Sequence, residues 1–168
     1  MRPNRPVLRE ADPIDDDLDA DARRQRANAV IDRLQAALLA HNMDAFADEW
    51  AADGTMTFPF APPGWPRLSG REEVRDYLAG YTDIVDVRGV SHQTRHETTD
   101  PDTIIVEWGV SGIAHATGRA YDIDYVAFVT VGADGIVAYR DYWNALAAGA
   151  ALGSVDEMIA AFTDAGPK

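Results

Sequence analysis

The chain has no cysteine among its 168 residues. Disulfide staples, thiolate nucleophiles and cysteine-ligated metal sites are therefore excluded, and a reducing cytoplasm is the expected location. Basic charge is scarce too: 15 Lys and Arg against 28 Asp and Glu give a formal net charge of −13. With no basic stripe to pair with phosphates, the composition argues against nucleic acid and against an anionic membrane surface. No apolar run approaches the ~20 residues that a membrane span requires. The N-terminus is polar and acidic, unlike a secretory signal. Neither the phosphate-binding loop nor the dinucleotide fingerprint occurs. Ser69, Ser91, Ser111 and Ser154 lack a nucleophile-elbow context. His92 and His96 sit four apart on an expected strand, about 13 Å at ~3.3 Å per residue. That is too far to share a metal ion, and His41 and His115 show no ligand spacing either. No metal and no cofactor are expected.

What is present fits one soluble domain large enough to enclose a core and a ligand cavity: 46% hydrophobic residues and nine prolines. Residues 1–19, with Pro3, Pro6, Pro13 and the run Asp15-Asp16-Asp17, read as a flexible acidic arm ahead of a domain over 20–168. Val30, Leu34 and Leu38 recur at four-residue spacing and predict a helix over 20–40. A second helix is expected over 44–51, with Asn42 or Asp44 as cap, Phe46 and Trp50 four apart, and Asp53-Gly54 as its end. Met56, Phe58 and Phe60 alternate as in a strand, and Pro59 points to an edge or an irregular one. A loop with three prolines follows over 61–69. A third helix is expected over 70–81, capped by Ser69 with Glu72 and Glu73 in its first turn. Strands over 87–98, 103–117, 119–131 and 136–147 and a short terminal helix over 157–163 complete the chain. Helices first and an antiparallel meander after them predict an α+β fold, the sheet curving around the helices to leave a conical pocket.

The most informative segment runs from Gly118 to Asn144, two strands joined by a tight turn at Gly132-Ala133-Asp134-Gly135. Alternation puts Tyr139, Asp141 and Trp143 on one face and Arg140, Tyr142 and Asn144 on the other. A carboxylate between two aromatic residues on one strand face predicts an acid inside an apolar pocket, where burial raises its pKa into the useful range. The competing structural role for Asp141 is an ion pair with Arg119 or Arg140.

The order of elements, together with Asp53-Gly54-Thr55-Met56, Gly70-Arg71-Glu72, Thr117-Gly118-Arg119, and Asp134-Gly135-Ile136 followed by Arg140-Asp141-Tyr142-Trp143, resembles the nuclear-transport-factor-two-like superfamily. This superfamily of cystatin-like α+β barrels includes ketosteroid isomerases, SnoaL-type polyketide cyclases, limonene epoxide hydrolases and PhzA/PhzB proteins. The resemblance spans roughly residues 22–152. It implies that Asp141 occupies the place of the acid on the last strand. The further polar residues of the epoxide hydrolases would fall at Trp108, Val110, Thr57 and Pro59, which lack that chemistry. The stretch from Glu97 to Asp100-Pro101 and on to Glu107 resembles PhzA/PhzB. In those proteins a histidine and a serine on the third helix correspond to Tyr77 and Tyr81 here. A homodimer formed through the outer sheet face is also implied.

In the register of that family His92 turns inward, where an imidazole would relay a proton to or from Asp141. Tyr77 and Tyr81 are candidate donors to a developing oxyanion, or else an aromatic stripe packing onto the sheet. Tyr121 and Tyr125 are expected to face the pocket with Ile123, leaving Asp122 and Asp124 outside. Phe58, Phe60, Trp65, Trp108, Tyr139 and Trp143 are candidate walls for a flat hydrophobic ligand, with Trp65 placed to act as a lid. The resemblance and these residues together imply a cofactor-independent isomerase or cyclase acting on a hydrophobic, carbonyl-bearing metabolite. The alternatives are a non-catalytic binding or assembly module and, third, a hydrolase of the epoxide type.

Overall fold

The computed structural model describes residues 18–164. Residues 1–17 of the expected arm lie outside that range. Asp19, assigned to the arm from sequence, instead caps helix α1 (Ala20–Leu39), its side chain accepting a hydrogen bond from the Ala22 amide. The buried stripe of α1 is Ala27, Val30, Ile31, Leu34, Ala37 and Leu38. Asp102, almost fully buried in the turn just before Thr103, binds Arg23 and Arg26 and ties the start of α1 to the sheet.

Helix α2 (Met43–Ala47) is capped by the Asn42 side chain and stops four residues short of the expected end. Strand β1 (Trp50–Thr57) takes over. The Phe46–Trp50 contact survives at 5.7 Å between ring centroids, but Trp50 makes it from a strand, fully buried and 5.3 Å from Tyr139. Asp53-Gly54 is therefore not a helix end. It is an irregularity inside β1, where the register against the last strand of the sheet, Gly135–Trp143, shifts between Trp50 and Thr55. A Cβ on Gly54 would come 2.1 Å from the Ile136 carbonyl oxygen.

The short edge strand β2 (Leu68–Ser69) precedes helices α3 (Arg71–Leu78) and α4 (Tyr81–Ile84), which replace the single helix expected over 70–81. Ser69 does not cap α3. Its amide donates to the Glu73 carboxylate, and Gly70 holds the cap position at φ 95°, a conformation that suits glycine. Arg71 Nε donates to the Trp50 carbonyl at 2.6 Å, fastening α3 to β1.

Strands β3 (Val85–Glu97), β4 (Thr103–Ala114), β5 (Ala120–Gly132) and β6 (Gly135–Trp143) form the expected meander. The last strand ends earlier than expected. Asn144 accepts from the Ala147 amide and starts helix α5 (Ala145–Leu152), followed by α6 (Val155–Asp164). The sheet order is β2-β1-β6-β5-β4-β3. All pairs are antiparallel except β1 with β6. The sheet curves without closing, and the fold is α+β as expected. Its core lies between the concave face and the helices. Among the described residues no helix is long and apolar enough to cross a membrane.

Candidate functional site

Between the helices and the concave sheet face lies a cavity of about 250 Å³. Strand alternation supplies one wall: Tyr139, Asp141 and Trp143 from β6, Tyr121, Ile123 and Tyr125 from β5, and Trp108 and Val110 from β4. The antiparallel ladder sets Trp143 beside Tyr125, Asp141 beside Ala127, and Tyr139 beside Val129. Phe58 and Trp65 enter from the segment after β1, Tyr77 from α3 and Tyr81 from α4. The break at Ala79-Gly80 does not separate the two tyrosines, since both reach the cavity.

Asp141 is the only carboxylate on this lining among the described residues. Its Oδ1 is sealed from solvent with no hydrogen-bond partner. The residue as a whole is half-buried on the cavity wall. The expected competitors are engaged elsewhere: Arg119 donates to the Ala150 carbonyl at 2.7 Å, and the Arg140 guanidinium lies 4.3 Å from the centre of the Phe128 ring. Burial without a countercharge penalises the carboxylate and pushes its pKa up to about 7. A group poised there both gives and takes protons near neutral pH.

Four tyrosines feel the charge on Asp141. Tyr77, Tyr81, Tyr125 and Tyr139 all have raised pKa values, chiefly through burial, with Asp141 adding to the effect. They are neutral hydroxyl donors around neutral pH, where Asp141 begins to ionise. Tyr81 and Tyr125 also interact with one another through their hydroxyls. The Tyr77 oxygen accepts a hydrogen bond from the Trp65 indole nitrogen at 3.1 Å. Tyr121, pushed up to about 12 by burial and by the nearby Asp86, has a sealed hydroxyl with no partner.

Two expected site residues lie elsewhere. His92 is half-exposed on the outer face, its Nε2 3.5 Å from Asp124 Oδ1, and it cannot relay a proton to Asp141. The register of β3 shifts between Val90 and His92, and this bulge turns the side chain outward. There it lies across Gly109, where a Cβ would come 2.7 Å from the imidazole. Phe60 is 65% exposed and packs on Tyr142 at 5.0 Å, again on the outer face. Strand β1 ends at Thr57, so its alternation does not extend to Phe60. Asp122 and Asp124 face outward as expected. Among the described residues no group of His, Asp and Glu is arranged to hold a metal ion.

Sequence reasoning missed the contribution of the C-terminal helices. Ala148, Ala151 and Leu152 of α5 and Met158 of α6 line the cavity. Thr117 and Arg119 hold the end of α5 by donating to the Ala151 and Ala150 carbonyls. The available signal was Asn144 three residues before Ala147, a helix-cap pattern ahead of an alanine-rich run.

The sequence profile of the SnoaL-like domain matches residues 31–140, ending one residue before Asp141. An uncharacterized PhzA/B-like protein of Pseudomonas aeruginosa is 36% identical over 121 residues, covering 70% of this chain and 85% of that one. A candidate isomerase from Bacillus subtilis has a crystal structure with a TM-score of 0.74 at 27% identity, covering 82% of this chain and 97% of that one. A candidate polyketide cyclase from Xanthomonas campestris, 20% identical with a TM-score of 0.64 over 79% of this chain and 98% of its own, shares the fold. The chain belongs to the SnoaL-like domain family.

Proposed function

We propose that this SnoaL-like protein is a cofactor-independent isomerase or cyclase that moves protons on a hydrophobic, carbonyl-bearing metabolite of the polyketide kind. One observation carries the reading: Asp141 is a carboxylate with no partner, set in an apolar, aromatic cavity and poised near neutrality. A structural carboxylate at that depth is ordinarily paired. The similarity to a candidate isomerase and a candidate polyketide cyclase supports the same class.

The chemistry follows from the groups present. Ionised Asp141 takes a proton from the carbon next to the substrate carbonyl. The electrons of that C–H bond move into the carbonyl, forming an enolate. A tyrosine hydroxyl, from Tyr77 or Tyr81, donates to the enolate oxygen within the aromatic cavity. Isomerisation is completed when Asp141 returns its proton at a different carbon. Cyclisation is completed when the enolate carbon attacks a second carbonyl of the same molecule and the new alkoxide takes that proton. The aromatic walls hold the substrate near its reactive shape.

The test is Asp141→Asn, assayed by deuterium exchange into 2-tetralone, a flat ketone with acidic α-hydrogens. Exchange catalysed by the wild type and lost in the variant, with binding retained, supports the reading. A variant that exchanges as fast as wild type removes it and leaves the cavity as a binding site.

The same reading has two copies pairing through the outer sheet face, where Phe60, Ile159 and Phe162 expose apolar side chains beside Tyr142. Sedimentation equilibrium at twice the mass of one chain, falling to one chain in Phe162→Asp, supports it. A single-chain mass for the wild type overturns it.

A further inference from the structure

Several tyrosines border Asp141, and the reading above leaves open which one serves the substrate oxygen. The contacts of Trp65 separate them. An indole N–H is a donor only and has no acceptor lone pair. The 3.1 Å bond between Trp65 Nε1 and Tyr77 Oη therefore has one direction: Trp65 donates and Tyr77 accepts. The Tyr77 proton must then point away from Trp65. Phe58, stacked against Tyr77 at 5.2 Å, offers only a ring face. Trp65 itself is held by an edge-on contact with Trp143 at 5.5 Å, and Trp143 shares a strand face with Asp141. The indole is thus fixed on one side by packing and spends its single polar hydrogen on one hydroxyl.

Resting on the proton-transfer reading, we infer that Trp65 is a positioning residue that fixes Tyr77 as the donor to the substrate oxygen. Its N–H fills the acceptor side of the Tyr77 hydroxyl, directs the O–H into the cavity, and polarises it as negative charge develops on the enolate. Donation into a hydroxyl stabilises its electron-rich form, which makes that hydroxyl the better donor in turn. Trp65 lies in the loop after β1 and is 38% exposed at the cavity mouth. Packing of that loop and activation of the donor are therefore one event.

The experiment compares Trp65→Phe, Tyr77→Phe and the double variant, using 2-tetralone exchange and the fluorescence-detected binding of 2-naphthol, a planar mimic of its enolate. Trp65→Phe keeps a ring on the Trp143 side and removes the N–H together with part of the indole's bulk, and the double variant separates the two losses. It is expected to lower kcat about three- to tenfold, the weight of one hydrogen bond, with KM changed less than twofold. Tyr77→Phe is expected to lower kcat about a hundredfold, as for loss of one oxyanion donor. In the Tyr77→Phe background, Trp65→Phe should have no further effect on exchange or on 2-naphthol affinity. Equal losses with and without the Tyr77 hydroxyl, in either readout, overturn the inference and leave Trp65 as packing. If Asp141→Asn exchanges at the wild-type rate, or the wild type gives no exchange above buffer, the proton-transfer reading falls and takes this inference with it. If Asp141→Asn is inactive while the Trp65 effect ignores Tyr77, only the role of Trp65 falls.

Discussion

Asp141 on β6 stands directly across the ladder from Ala127 on β5, and Ala127 is completely buried. Paired residues share a sheet face, with Cβ atoms roughly 5 Å apart. The nearest cross-strand neighbour of the acid is thus a methyl group. It offers no hydrogen bond and leaves room above the sheet, and both consequences keep the carboxylate reactive.

Replacing that methyl by a hydroxyl should tame the acid. Ala127→Ser places a donor beside Asp141, which favours the charged form and lowers the pKa. The acid limb of the pH–rate profile for 2-tetralone exchange should move below its wild-type position near 7, with a lower plateau from the weaker base. An unmoved limb would mean that Asp141 does not set it.

The raised pKa of Asp141 also fixes the sign of its effect on stability. Its folded value, about 7, exceeds the unfolded value of about 4, so the folded state holds the proton more tightly. The favourable contribution is complete below the unfolded value and is lost as pH rises through 7. Asp141→Asn cannot ionise. Its stability gain over wild type should be small at pH 4, grow to pH 7 and then level off. The plateau should be on the order of 1–3 kcal/mol, reduced from the full linkage value because the residue is only half-buried. Urea denaturation of both proteins across that range measures it, and a gain independent of pH would refute the assignment.

Tyr121 has a sealed hydroxyl with no partner. Removing it should relieve a desolvation penalty of about 1 kcal/mol. Tyr121→Phe is expected to match or exceed wild-type stability in thermal unfolding. The opposite holds at Gly112, where a Cβ would come 2.1 Å from the Asp86 carbonyl oxygen and 2.8 Å from the Tyr121 hydroxyl. Gly112→Ala should destabilise by about 1–3 kcal/mol, the cost of forcing atoms into a packed site. A stabilising Gly112→Ala would show that this part of the sheet yields.

Asp102 is a test far from the cavity. It is 2% exposed and shared by Arg23 and Arg26. Asp102→Ala should cost about 3–5 kcal/mol, as expected for breaking a buried ion pair from one side. Calorimetry should show the loss, and any folded protein remaining should retain its 2-tetralone activity.

The inward face of β6 was legible because Tyr139, Asp141 and Trp143 sit on an uninterrupted strand, where a period of two leaves no freedom. Tyr121 and Tyr125 were legible for the same reason. His92 was not, because β3 carries two register shifts, between Val87 and Gly89 and between Val90 and His92, and the second turns His92 away from the face of Val90. Phe60 was lost to the end of β1 at Thr57, one residue after the last inward side chain of the strand, Met56, and the chain turned outward there. The helix over 44–51 was overextended because Phe46 and Trp50 satisfy helical spacing while touching from two different elements.

By itself, the sequence determined the α+β class, the meander, the family, and a lone acid among aromatic residues on the final strand. These are local properties, set by periodicity and by the chemistry of neighbouring side chains. Only the tertiary structure decided that Asp141 has no arginine beside it, that Trp65 bonds Tyr77 across twelve residues, and that α5 and α6 close the cavity. Pairing, desolvation and closure depend on groups brought together from distant segments. The free energy of a buried charge is set by all of them at once.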